Sequence, residues 1–168
     1  MPLGLTRRSS GPAKGGPLTF IVSHFMQPHE FIHGFQEVVA RFGQWPSFHD
    51  GEVHRIVLDR MARAPSGSHM PSVEIYLRGW IMGPEVTSEG SYKIHNDSVV
   101  HFLFEDIFDF ELEGFNHQNV LSSLNLSLIE DPKGSGQVLH VELEHCYQFS
   151  GEFNARKAKI LGVIPYAA

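Results

Sequence analysis

The run His49-Asp50-Gly51-Glu52-Val53-His54 sets four candidate metal ligands within six residues. Imidazole and carboxylate are the groups that zinc and related divalent ions accept. On a strand, Glu52 and His54 would share a face, and a third ligand would come from elsewhere, such as His101 or His140. The same residues also read as a turn, with His49 and Asp50 closing it and Asp50 accepting backbone N–H groups ahead of Gly51. The spacing favours the turn, because it matches no fixed zinc pattern such as His-Glu-x-x-His. Nucleophilic chemistry has less support. There is no Gly-x-Ser-x-Gly elbow, and Gly67-Ser68 and Gly134-Ser135-Gly136 sit in polar turns. Cys146 follows His145 in what reads as a strand, where neighbours point to opposite faces, so the pair cannot act as nucleophile and base. Cys146 is expected to be a small buried core residue. No glycine-rich phosphate loop precedes a helix.

Carboxylates form the stronger pattern. Residues 105–113 read Glu-Asp-Ile-Phe-Asp-Phe-Glu-Leu-Glu, five acids in nine positions. Alternation predicts a strand that buries Phe108, Phe110 and Leu112 and displays Asp109, Glu111 and Glu113 as a ladder. Glu142 and Glu144 predict a second ladder. Such rows either serve as a solvated face that discourages aggregation or present charge to a basic partner. Next to them, Gly114-Phe115-Asn116-His117-Gln118-Asn119 is rich in turn and cap formers, and Asn116 is expected to cap a short helical turn before Leu121.

These residues need a scaffold. Pro28 suits a first helical position, and Phe31, Ile32, Phe35, Val38, Val39 and Phe42 follow an amphipathic helical stripe that Gly43 would stop. After the loop Trp45–Gly51, strands are expected at Val53–Leu58, Ser72–Met82, Val99–Phe104 (apolar on both faces, hence central), Phe108–Leu112, Leu124–Ile129, Val138–Tyr147 and Lys159–Ile164. Residues 83–97 read as a polar linker, and Asp131–Gly136 as a hairpin turn. Strands joined by turns predict an α+β fold: a mostly antiparallel curved sheet or sandwich of six to eight strands with one main N-terminal helix packed on it.

The chain has 168 residues, 42% of them hydrophobic, enough for one core without a disulfide or metal staple. One cysteine excludes an internal disulfide. No apolar run reaches bilayer length, and no secretion signal is legible, so the sequence predicts a cytoplasmic protein with no membrane association and no cofactor. The formal net charge of −6 argues against nucleic-acid binding. Residues 1–25 carry three cations, Arg7, Arg8 and Lys14, and no acid. They read as a disordered or loosely packed tail in which Leu18–Val22 adds a strand or lies against the domain, with Met26 as an alternative start. The expected single domain, 26–168, then holds 10 cations against 19 acids and stands at −9.

Two segments resemble the immunity protein 50 family. One is Trp45-Pro46-Ser47-Phe48-His49-Asp50-Gly51-Glu52-Val53, running into Leu58-Asp59-Arg60. The other is residues 104–124, with Phe115, Asn116, Gln118 and Asn119. The resemblance spans roughly residues 29–165. It implies a non-enzymatic, cytoplasmic protein of a bacterial polymorphic-toxin system that binds and neutralises a cognate protein toxin. It also implies a small residue such as Ala after His-Asp, where this chain has Gly51. It carries no catalytic residues, and its motif residues can be architectural: Trp45 and Phe48 locking the helix to the sheet, Asp50 fixing the turn. Beside the acidic balance, a basic nuclease is a natural target class. Two other readings stay open: a metal-binding protein or metal-dependent enzyme built on His49, Asp50, Glu52 and His54, and an assembly or ligand-binding module using the sheet around Tyr76, Trp80 and Phe102.

Overall fold

Gly34 decides where the first element breaks. The computed structural model describes residues 26–167, so the expected tail over 1–25 lies outside the described residues. The apolar stripe predicted one helix from Pro28 to Phe42. Instead a 3-10 turn, Pro28–Phe31, is followed by helix α1, Phe35–Phe42. Gly34 stands between them at φ +83°, a left-handed conformation that costs glycine little. The break frees His33 to pair with a strand: its N–H donates to the Ala158 carbonyl at 2.9 Å, and its carbonyl accepts from Ile160 N at 2.8 Å. Sheet pairing therefore overrides helical periodicity here. Gly43 stops α1 as expected, at φ +81° with its N–H on the Val39 carbonyl.

The six strands are β1 (Glu52–Asp59), β2 (Ser72–Val86), β3 (Tyr92–Glu113), β4 (Leu121–Glu130), β5 (Gln137–His145) and β6 (Ser150–Pro165). They form one open antiparallel sheet in the order β1-β2-β3-β6-β5-β4. The α+β expectation holds, as a single sheet rather than a sandwich. Val99–Phe104 is central, with β2 on one side and β6 on the other.

Three expectations need correction. Residues 83–97 are no linker, because β2 and β3 continue through them into a hairpin closed at Thr87–Ser91 (Thr87 N to Ser91 O, 2.7 Å). Past Arg78 on β2 and Asp97 on β3, no further strand of the described residues covers the edges of that ribbon, which leaves room there for polar residues. Second, Val99–Phe104 and Phe108–Leu112 belong to one strand, β3. Its faces swap partway: Phe102 and Phe104 lie opposite the buried Ile160 and Ala158, then Ile107 lies opposite the buried Ala155. Left-handed Asp106 (φ +55°) marks the swap. Third, β5 ends at His145, so Cys146 lies in a bend beyond it and is only partly buried.

The core fills the face of the sheet that α1 and the loop Trp45–Gly51 cover. Val38 and Phe42 from α1 and Ile32 ahead of it are buried there with Val73, Ile75, Leu77, Val100, Phe102, Phe104, Val141 and Phe153. Strands β3 and β6 outrun β5, whose pairing with β6 stops at Ala155. The exposed backbone of β6 beyond that point is what His33 caps.

Phe48 sits at the junction. Its ring lies edge-on to Phe42 (6.1 Å), Trp45 (6.2 Å) and Phe102 (6.0 Å), geometry favoured by aromatic quadrupoles. It rests on Gly79 of β2, where an added Cβ would come within 2.6 Å of the Phe48 ring. Gly79→Ala should therefore cost about 1–3 kcal/mol by overpacking, while Phe48→Ala should cost about 3–5 kcal/mol. In the Phe48→Ala background the Gly79 substitution should be nearly neutral, since its clash partner is gone. Urea denaturation of the two single variants and the double variant measures this coupling, and additive losses would separate the two residues.

Candidate functional site

Each sequence-selected group falls at a definable place. The turn Ser47–Gly51 is held by backbone: Gly51 N donates to Phe48 O at 2.9 Å, and Phe48 and Asp50 adopt left-handed φ of +56° and +58°. Asp50 does not accept the N–H bonds expected of it. Its own N–H donates to Leu121 O at 3.1 Å, and its carboxylate lies 3.6 Å from His49 Nε2. His49 Nδ1 donates to the Ser122 carbonyl at 2.8 Å. Glu52 and His54 form a second pair at 3.6 Å. Among the described residues no three His, Cys, Asp or Glu side chains converge as a metal site. His49 and Asp50 point toward β4, while Glu52 and His54 belong to β1. Gly51 is more restricted than the small residue the resemblance implied: an added Cβ would lie 2.8 Å from Phe48 O and 2.9 Å from Arg78 O. Pro46 is buried, Ser47 is exposed, and Trp45 stacks on His29 at 5.0 Å.

The second motif forms a knot of amides where no helix forms. Asn119 Oδ1 accepts from Asn116 N at 2.7 Å, and Asn116 Oδ1 accepts from Gln118 N at 2.7 Å. The buried Asn119 also donates to Val53 O at 3.3 Å. Asn116 thus closes a turn rather than capping a helix. Val53 N–Asn119 O and Leu121 N–Gly51 O tie β1 to the start of β4. The two motifs meet here and draw the two outer strands of the open sheet together at one end. Phe115 is half exposed and packs edge-on to Phe149 at 6.0 Å.

The carboxylates gather at one end of the sheet. Glu111 lies opposite Glu152, and Glu152 opposite Glu142, so three acids form a row across β3, β6 and β5. Directly opposed Cβ atoms are about 5 Å apart. Glu113 joins the row at a depression of about 280 Å³, which Leu112 and Leu143 also line. Among the described residues no Lys or Arg pairs with Glu111, Glu113, Glu142 or Glu152. Asp109 does not complete the expected ladder. It sits at a bulge with φ +51°, between Phe108–Asn154 and Glu111–Glu152, and accepts from Asn154 Nδ2 at 3.3 Å. That bulge also puts Phe108 on the same face as Glu111, under the Arg156 guanidinium at 4.3 Å, instead of in the core beside Phe110 and Leu112. Glu144 is turned toward β4. The Ser123 hydroxyl, then the Asn125 amide, donate to it and hold its carboxyl below the usual carboxylate range. Asn125 also donates to Glu142 at 3.0 Å. Sequence reasoning missed Glu152, which stands alone between glycine and phenylalanine in β6. Only strand register shows that it faces the other acids.

One buried ion pair fixes the β4–β5 hairpin to β6. Arg156 donates to both oxygens of buried Asp131 (2.8 and 2.9 Å), and Asp106 lies 3.5 Å away. Those bonds, then the Ser135 hydroxyl and the Lys133 N–H, hold the Asp131 carboxyl far below its ordinary value. Elsewhere on the sheet Tyr76 stacks on His101 at 3.9 Å, and Arg78 pairs with Asp97 beneath Tyr166. Phe102 is buried on the opposite face from Tyr76 and Trp80, so these three do not form one surface.

The fold defines a small α+β protein, mostly sheet, and among the described residues no helix is long and apolar enough to cross a membrane. Residues 34–166 match the family model described as Immunity protein 50, and the chain belongs to that family. Comparison with curated proteins and with solved structures returned no match.

A carboxyl held below its unfolded value contributes stability that is complete above the unfolded pKa of about 4 and is lost as pH falls toward the folded value. Thermal melts should therefore show Asp131→Asn less stable than wild type at pH 7, because Arg156 loses its partner. Below pH 4 the gap should narrow, because the unfolded wild-type chain then binds a proton at Asp131 that the folded chain still excludes. Parallel pH profiles for the two proteins would exclude Asp131 from the acid limb.

Proposed function

We propose that this chain is a non-enzymatic immunity protein that acts in the cytoplasm of the producing bacterium. It binds and occludes the cognate toxin of a polymorphic-toxin system through the carboxylate end of its sheet. Family membership supplies the class. The row Glu111–Glu152–Glu142 carries the choice of surface, with Glu113 beside it and Asp109 and Glu144 at its borders. Like charges set directly opposite one another destabilise a sheet by a few tenths to about 1 kcal/mol per pair. A basic partner relieves that repulsion and is drawn in by the same field, which acts mainly on the rate of association. A nuclease fits this reading, because a protein that grips phosphates presents the cations these acids would engage. The motif residues Trp45, Pro46, Ser47, Phe48, His49, Asp50, Glu52, Phe115, Asn116, Gln118 and Asn119 hold the scaffold in this reading. The metal alternative gains no supporting observation.

Co-expression with the toxin encoded beside its gene tests the class. Cells should survive only when the protein is present, and survival unchanged by its omission would end the proposal. Glu152→Gln tests the surface. The free protein should gain up to about 1 kcal/mol in stability, while association with the toxin slows and becomes less sensitive to salt. Unchanged association kinetics and salt dependence would move the interface elsewhere.

A further inference from the structure

Among the described residues, the hairpin at the far end of β2 and β3 has no third strand beside it. Pairing of β1 with β2 stops at Glu52–Arg78, and pairing of β6 with β3 stops at Ser98–Pro165. Tyr166 N still donates to the Asp97 carbonyl at 3.0 Å, and beyond it residues 80–96 form a two-stranded ribbon that no third strand of the described residues joins; an isolated ribbon is marginal in water. Its side chains nevertheless alternate as though one face were covered. Met82 lies opposite Ile94, and Val86 opposite Tyr92, which places all four on one face. They are 53%, 45%, 56% and 58% exposed. The other face carries the Glu85–Lys93 ion pair at 3.1 Å and His95 packed over Gly83. Trp80 and Tyr166, both against Arg78, extend the apolar face toward the sheet.

We infer that this ribbon face packs against the same face of a second copy of the chain, forming a two-fold dimer. The area supports that occupant. Aromatic side chains offer about 150–250 Å² each and Met82, Val86 and Ile94 less, so the six, about half open on average, present roughly 500 Å² per copy and about 1,000 Å² per dimer, the lower limit for a specific interface. A patch of this size stands at the upper end of what monomers expose, where such patches are often functional. Charge supports it too. Two chains at −6 each repel, but beside this face Lys93 answers Glu85 and Arg78 answers Asp97, which leaves Glu89 at the hairpin tip as the acid outside those pairs. The mode is face to face, because Pro84 and the bulge between Met82 and Val86 spoil the free edge of β2 for strand pairing. The acidic row lies at the opposite end of β3, about 60 Å away along the strand from Tyr92 to Glu111. A ribbon dimer therefore leaves both carboxylate faces free, and it stands whether or not those faces bind a toxin.

Sedimentation velocity of the full chain from low to high micromolar concentration should show the 18.9 kDa monomer giving way to twice that mass. The double variant Met82→Asp/Ile94→Asp should stay monomeric with an unchanged far-UV circular dichroism spectrum. Met61→Asp, at a residue equally exposed but on the β1–β2 loop, should dimerise like wild type. A wild-type chain that stays monomeric, or a double variant that still dimerises, overturns the inference. Hydrogen exchange of the unaltered chain gives a reading free of substitutions. Amides of residues 80–96 should gain protection as concentration rises, and protection independent of concentration also overturns it.

Discussion

The aromatic side chain of Phe48 is the contact on which the other packing depends. It is buried on a left-handed backbone, and its ring occupies the space that Gly79 leaves open on β2. Phe42 reaches it from the helix, Trp45 from the loop and Phe102 from the centre of the sheet. A left-handed phenylalanine costs of order 1–3 kcal/mol, and burying so large a ring offsets that cost. The same turn lets Gly51 meet Leu121 and Ser47 meet Leu124, so seating one ring also joins β4 to the loop that leads into β1.

Unequal strand lengths produce the rest of the architecture. β3 and β6 are long, and β5 covers only part of β6. Where β5 stops, the exposed edge of β6 would hold unpaired backbone groups, and His33 supplies the missing partners. That need explains why the apolar stripe before α1 does not continue as helix. At the other extreme, β2 and β3 run past both neighbours and leave a ribbon whose apolar face has no cover within the described residues.

The two ends of the sheet therefore differ in physics. One gathers carboxylates opposite one another across three strands, an arrangement that stores repulsion and so favours a cationic partner. The other is apolar on one face, with Glu85 paired to Lys93 and Asp97 paired to Arg78.

Much of this was legible in the residues. Alternation in β3 and β5 located strands and their acids, Gly43 marked the end of a helix, and the run of turn-linked strands made an antiparallel sheet the natural outcome. The two motif segments pointed to the family, because strings such as Trp45–Asp50 are specific without any geometry. What the sequence could not decide is what depends on register and bulges. Period-two alternation says which residues share a face but not where that face inverts. Asp106 and Asp109 turn left-handed inside β3, so Phe108 leaves the core and Asp109 leaves the ladder. Glu152, with no acidic neighbour in the chain, enters the carboxylate row because pairing of β3, β6 and β5 sets it between Glu111 and Glu142. Local chemistry therefore determined the kind of surface and the class of fold. Tertiary pairing chose which acids meet, because a strand acquires its neighbours only when distant segments hydrogen-bond.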